Sequence, residues 1–255
     1  AKLSNLAACA CRSGAGVVKL AVPESIKDAV LPHLLDSTLF PLSCGSDGNF
    51  VFNEAQALDL IYKCKCVACG MGVGRSKELI KLVGFLLENF EGILVLDADA
   101  TWAYAELQKL NEYQDLPDFR KRKCELVMTP HLGEFATLTE EDVDTIKQNP
   151  DEILFDFAQQ NNCVVLLKGA ETKVCDGEKI YISDSGCPGM AKAGSGDVLS
   201  GILSAVLASN YDKIRNDKDL LAQCVCACAF INGKAGELNC AANNEFTMLS
   251  SETPN

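Results

Sequence analysis

Long apolar runs are missing from this chain of 255 residues, and no segment reaches the roughly 20 apolar residues that a membrane-spanning helix needs. The opening AKLSNLAACACRSGAG is too short and too mixed for a secretory signal. Both features point to the cytoplasm. Basic residues are in short supply as well: 23 Lys and Arg stand against 35 Asp and Glu, a net charge of −12. That balance argues against nucleic acid and against an anionic membrane surface as partners. Any phosphate site must then be built by local geometry. Repeats, low-complexity tracts and composition breaks are absent, so one large α/β domain over residues 1–255 is expected. Histidine is limited to His33 and His131, which leaves few imidazoles for a metal.

Cysteine is plentiful, with 14 residues, many inside apolar segments such as Cys64, Cys66, Cys69, Cys163, Cys224, Cys226 and Cys228. In a chain of this size they read as small hydrophobes in a reducing compartment. Cys66 and Cys69 have the spacing of a zinc or redox pair. No second close pair accompanies them, and they run in a strand instead of opening a helix, so no metal is assigned to them.

What is present is organised around Gly186–Ala208, GCPGMAKAGSGDVLSGILSAVLA. Its glycines allow positive φ and close approach to a ligand. Val198, Leu199, Ile202, Leu203, Val206 and Leu207 then recur at helical spacing. A glycine-rich loop feeding a helix start aims unsatisfied N–H groups and the positive helix end at one spot, which attracts phosphate. Asp197 falls in the first helical turn. There it either complements the helix end or takes a proton from a hydroxyl that attacks a phosphoryl group, and spacing leaves both open.

Helices are expected at 5–13, 24–36, 54–62, 77–89, 151–160 and 219–237. Strands are expected at 17–22, 64–69, 93–96, 125–128 and 163–167, followed by a hairpin about Asp176-Gly177. Residues 40–52 show no clear pattern, 116–123 read as a solvated connection with Lys121, Arg122 and Lys123 exposed, and the tail after Asn239 reads as polar and fraying. The alternation implies a mostly parallel central sheet with helices on both faces. At the carboxyl ends of its strands, where such sheets collect ligands, stand Gly70, Gly72 and Gly74, then Asp97 and Asp99, then His131, then Lys168–Thr172. Taken singly, the glycines suit a tight turn, the aspartates a magnesium site or a helix cap, and Glu134 a helix cap. His131 suits an acid, a ligand contact or a plain hydrogen bond, and Lys168 a phosphate contact or surface charge.

Five of these stretches, in order, resemble the ADP- or ATP-dependent NAD(P)H-hydrate dehydratases of the ribokinase-like superfamily: GMGVG (70–74), LDADA (96–100), TPHLGEF (129–135), LKGAETKV (167–174) and GCPGMAKAGSGDVLSG (186–201). The resemblance implies a ribokinase-like three-layer α/β sandwich. It implies phosphorylation of the hydroxyl of NADHX or NADPHX and elimination of phosphate, with magnesium as cofactor and ADP or ATP as donor. Asp197 becomes the base. Gly72, Gly74, His131 and Asp197 face the hydrated nicotinamide. Lys168, Gly169, Ala170, Glu171 and Thr172, with Gly194, Ser195 and Gly196, face the nucleotide. His131 in TPHLGEF leans toward ADP, Lys192 stands where threonine is common, and a homo-oligomer, a tetramer in the family, is expected. The family's opening strand and glycine-rich loop, which precede the turn matched by Gly14-Ala15-Gly16, do not occur in these residues. The competing readings are a ribokinase-like kinase of a vitamin-precursor alcohol and a nucleotide-binding protein without turnover.

Overall fold

A computed structural model of the chain describes residues 2–113 and 121–252. In chain order the elements are α1 (Lys2–Arg12), β1 (Lys19–Pro23), α2 (Lys27–Val30), β2 (Thr38–Leu42), α3 (Glu54–Ile61), β3 (Cys66–Cys69), α4 (Lys77–Asn89), β4 (Ile93–Leu96), α5 (Asp99–Tyr113), β5 (Glu125–Met128), α6 (Leu132–Thr139), α7 (Val143–Gln148), α8 (Pro150–Gln160), β6 (Val164–Leu167), β7 (Thr172–Cys175), β8 (Ile180–Ser183), α9 (Ser195–Ser209), α10 (Tyr211–Ile214) and α11 (Lys218–Thr247).

Ile93–Leu96 and Val164–Leu167 are apolar at every position and buried at every position. Strands of that kind need cover on both faces. The main sheet runs β3-β4-β5-β6-β7-β8, parallel from β3 to β6 and antiparallel from there to β8. Alternate side chains point to opposite faces. Leu94, Leu96, Leu126, Met128 and Val165 join Leu79, Val83 and Leu86 of α4, Phe135 of α6 and Phe157 of α8 in one core. Ile93, Val95, Val127, Val164 and Leu166 join Leu199 and Leu203 of α9, Val225 and Cys228 of α11, and Cys9 of α1 in the other. The mostly parallel α/β sandwich expected from the alternation is the observed one.

Register makes one edge of the sheet special. Leu96 lies level with Cys69 on one side and Met128 on the other, so the loops that follow β3, β4 and β5 emerge together. Gly70 is required where they meet. Its φ is +116°, and a Cβ there would lie 1.9 Å from the Asp97 carbonyl oxygen. Gly201 does the same for the helical layer, since a Cβ on it would lie 2.6 Å from the Leu6 carbonyl oxygen of α1.

The expected elements at 77–89, 93–96 and 125–128 match the observed bounds. Four expectations are corrected. The strand at 17–22 starts at Lys19 and joins a separate two-stranded parallel sheet with β2, which lay in the segment without pattern. The helix at 24–36 breaks into α2 flanked by two 3-10 turns, with Pro32 in the second. The connection at 116–123 lies outside the described residues up to residue 120. Beyond it Arg122 is not plain surface charge, because its guanidinium donates to the Asn161 and Asn162 carbonyls at the end of α8, where a cation opposes the helix dipole. The tail after Asn239 does not fray: α11 runs on to Thr247 with a break at Asn244. Met248 behind it is buried.

Gly70→Ala is expected to lose roughly 3 kcal/mol or more in urea unfolding, from backbone overlap added to a left-handed φ. Gly72→Ala, with φ +72° and nothing within 4 Å of its Cβ, should lose only about 1 kcal/mol.

Candidate active site

The edge is held by a charge pair that the strands cannot avoid. Asp97 ends the apolar β4 and Lys168 ends the apolar β6, so each polar side chain is delivered straight from the core. Asp97 is 3% exposed, and the Lys168 ammonium donates to its Oδ1 at 2.7 Å. The Ala98 N–H donates to the same oxygen at 2.9 Å, and the Ser200 hydroxyl of α9 donates to Oδ2 at 3.0 Å. Each acceptor is thus matched, as a buried carboxylate requires. Ala98 itself takes a left-handed φ of 49°, a strained conformation of the kind that active sites hold in place.

From Lys168 the chain of charges continues. Its ammonium lies 3.9 Å from Glu134 Oε2, and Glu134 is locked to His131 by a reciprocal cap at the start of α6. His131 Nδ1 accepts from the Gly133 and Glu134 N–H groups, while Glu134 Oε2 accepts from the His131 N–H at 2.8 Å. An Nδ1 that accepts two such bonds carries no proton, so the imidazole proton sits on Nε2, which lies 3.3 Å from Glu134 Oε1. Among the possibilities left open for His131, the plain hydrogen bond is realised, in the form of a helix cap. Its side chain stays 60% exposed, enough to meet a ligand as well.

The glycines after β3 stand beside this network. Gly72 and Gly74 have φ of +72° and +84°, and space around both is open. Asp99 Oδ2 accepts from the Gly74 N–H at 2.9 Å, and Arg75 Nε lies 3.8 Å from Asp99 Oδ1. Asp99 therefore fastens the glycine loop.

The start of α9 completes the edge. Gly194 is its N-cap at φ +103° and offers no side chain to the helix. A Cβ on Gly196 would lie 3.6 Å from Asp97 Oδ2 and 3.7 Å from Lys168 Nζ. The helix end, with its orphan N–H groups and positive dipole, thus lies against the buried pair. Asp197 follows in the same turn, half-buried. The Ser195 N–H donates to the Lys192 carbonyl at 3.2 Å, so it is not among the donors left for a ligand. In the loop after β6, Gly169, Ala170 and Glu171 are exposed and Thr172 donates to the Gly169 carbonyl at 3.3 Å.

Lys192 does something other than charge the loop. Its ammonium donates to the Phe246 and Met248 carbonyls, both at 2.8 Å. Ser250 from the same turn donates to the Ala193 carbonyl at 3.2 Å. The chain end beyond α11 is thereby pinned onto the glycine-rich loop, a contact between distant residues that no local pattern reveals. Ser200 escaped the expected site set, whereas Asp97 was expected at this edge with a magnesium or a capping role left open. The legible signal was an aspartate after four apolar residues, a position where only a matched carboxylate is tolerated.

Cys66 and Cys69 do not form a site. They stand three apart in β3, so they face opposite cores, and burial pushes the Cys69 thiol up to about 12. Among the described residues no three His, Cys, Asp or Glu side chains gather as metal ligands. A cavity of about 350 Å³ between α5, α6 and α8 includes none of the edge residues.

Parallel strands, a glycine-rich turn opening a helix and an acid in its first turn make an α/β ligand edge, and its fold is that of ribokinase-like proteins. Solved structures agree. An ADP/ATP-dependent NAD(P)H-hydrate dehydratase from Bacillus subtilis superposes with TM-score 0.76 at 22% identity over 99% of this chain and 83% of that one. A ribokinase-like superfamily protein from Enterococcus faecalis superposes with TM-score 0.75 at 16% identity, over 99% and 79%. The sequence profile of the NAD(P)H-hydrate dehydratases matches residues 3–253, and the chain belongs to that family. It is 31% identical over 226 residues to the bifunctional NAD(P)H-hydrate repair enzyme of Archaeoglobus fulgidus, covering 89% of this chain and 41% of the relative. It is 33% identical over 214 residues to the enzyme of that name from Gloeobacter violaceus, covering 80% and 38%. The chain thus spans about two fifths of the length of these curated relatives.

Lys168→Met leaves Asp97 buried without its cation, and is expected to lower stability in urea by roughly 2–4 kcal/mol. Ser200→Ala, which removes one neutral donor, should lose about 1–2 kcal/mol.

Proposed function

We propose that the chain, acting over residues 1–255 as one domain, dehydrates hydrated nicotinamide cofactors, NADHX and NADPHX, at the expense of ADP or ATP. The observation that carries this reading is the convergence, on one sheet edge, of the α9 start bearing Asp197 with Lys168 and His131. The family match supports it, as does the fold shared with a dehydratase that was co-crystallised with ATP and Mg2+.

In this reading Asp197 takes the proton of the substrate hydroxyl as that oxygen attacks the terminal phosphorus of the nucleotide. The bond to the bridging oxygen breaks, and AMP or ADP leaves. Charge on the moving phosphoryl group is met by the Gly194–Gly196 turn, the α9 dipole and the Lys168 ammonium. The new phosphate ester then leaves the ring with its bonding pair, and the neighbouring ring carbon gives up a proton. Phosphorylation is needed because hydroxide leaves poorly and phosphate leaves well. Gly72, Gly74 and His131 line the nicotinamide side, where open space above the glycines admits the puckered hydrated ring. Gly169, Ala170, Glu171 and Thr172 border the nucleotide.

Magnesium fits this edge in a restricted sense. It favours one or two carboxylates plus phosphates and water over an all-protein cage, and Asp97 and Glu134 both reach the Lys168 ammonium. Both carboxylates are already engaged by that ammonium and by their own hydrogen bonds, so magnesium would be held chiefly by the nucleotide phosphates and would supply their Lewis-acid neutralisation. As a carbon–oxygen lyase of metabolite repair, the protein is assigned to the cytoplasm, in keeping with the absence among described residues of a helix able to cross a membrane. A homo-oligomer is supported by the exposed Phe230, Ile231 and Leu238 on α11.

Absorbance at 340 nm tests the reading directly. With NADHX, magnesium and either ADP or ATP, a nucleotide-dependent rise is expected, and Asp197→Asn should slow it by about 10²–10⁴-fold. A stable phosphorylated product from a vitamin-precursor alcohol, without any rise from NADHX, would favour the kinase alternative.

A further inference from the structure

The thiols divide into two populations. Cys69, Cys163 and Cys228 are buried, and burial raises each to about 12, which makes them inert. Cys187 and Cys240 are only half-buried, and they lie together although far apart in the chain. Cys187 sits in the loop between β8 and α9, where its Sγ donates to the Gly236 carbonyl at 3.6 Å and lies 3.9 Å from Met248 Sδ. That loop rests on a face of α11 that is bare of side chains: a Cβ on Gly233 would lie 2.1 Å from Ser185 Oγ, and one on Gly236 would lie 2.2 Å from Met190 Sδ. Cys240 is one helical turn beyond Gly236 on the same face. A helical side chain leans toward the N-terminus, so Cys240 leans back over Gly236, where Cys187 lies. After burial, Cys187 is the neighbour that most raises the Cys240 thiol.

We propose that Cys187 and Cys240 are a thiol modification site that closes to an intramolecular disulfide in the presence of a low-molecular-weight disulfide such as oxidised glutathione. The thiolate of one cysteine attacks the glutathione disulfide and releases one glutathione thiol. The other cysteine loses its proton and attacks the mixed disulfide, releasing the second glutathione. Two protein thiols are oxidised, one glutathione disulfide is reduced, and no other reactant is needed. The bond ties to α11 the loop that carries the chain into Gly194, a segment already fastened by the Gly186 N–H donating to Glu237 Oε1 at 2.9 Å. Burial, the neighbouring Cys187 and the Glu245 carboxylate raise the Cys240 thiol, against the opposing Lys192 ammonium. Closure therefore quickens as pH rises. The inference does not depend on the proposed activity.

The test is non-reducing peptide mapping of the full chain after incubation with oxidised glutathione, with melting followed in parallel. The expected result is a peptide pair joined through Cys187 and Cys240, a mass lower by two hydrogens, and a Tm higher by about 5–10 °C. Dithiothreitol should reverse all three. Cys187→Ser and Cys240→Ser should each abolish the linked pair and the Tm rise, and Cys240→Ala provides a second variant should one fold poorly. A linkage through any other cysteine, glutathione retained on either thiol without closure, or a Tm rise that survives Cys240→Ser would overturn the proposal.

Discussion

A lysine and an aspartate drawn from the ends of two buried strands govern the organisation of this protein. Asp97 and Lys168 meet at 2.7 Å, the carboxylate buried and the lysine side chain 23% exposed, and each has further partners on other elements. Through Ser200 the pair is tied to α9, and through Glu134 and His131 it is tied to α6. The loops after β4, β5 and β6 and the start of α9 are consequently held by one hydrogen-bonded unit. Such a unit is costly to break at Lys168, because its removal leaves the buried Asp97 charge without its cation. In the proposed reading, this is how a chain of net charge −12 would face a phosphate. The long-range field is unfavourable, and the site offsets it with an ammonium, a helix dipole and backbone donors within a few ångströms.

Much of this was legible from the residues, for identifiable reasons. Ile93–Leu96 and Val164–Leu167 are uniformly apolar, so they could only be doubly covered strands, and the polar residues after them had to mark the ligand edge. GSGD followed by an apolar helical stripe fixed the start of α9. β2 was not legible, because Thr38–Leu42 contains proline and is at most half-buried, which weakens the alternation a strand normally shows. The end of α11 was missed because its polar composition suggests fraying, while its order comes from Lys192 and Ala193 more than 50 residues away in sequence. His131 was read by residue type, yet its bonding as a cap depends on the backbone of α6 that follows it. Long-range contacts of this sort leave no trace in local pattern.

The same contrast separates the two glycine segments. Gly70 is needed for packing, since any side chain would enter the Asp97 backbone, whereas Gly72 and Gly74 have open surroundings and a conformation that glycine adopts freely. A structural role therefore sits next to two positions left clear for a ligand. The α9 start that carries Asp197 lies against the buried pair through Gly196, and in the proposed reading this layout transfers a phosphoryl group to a hydroxyl.

The central claim is that the nucleotide phosphorylates the substrate hydroxyl, so that its oxygen departs with phosphate. NADHX labelled with 18O in the ring hydroxyl distinguishes this from direct loss of water. The account predicts that, after turnover with ADP or ATP, the label is recovered in inorganic phosphate, one atom per molecule. Label recovered in water, with unlabelled phosphate, would contradict it.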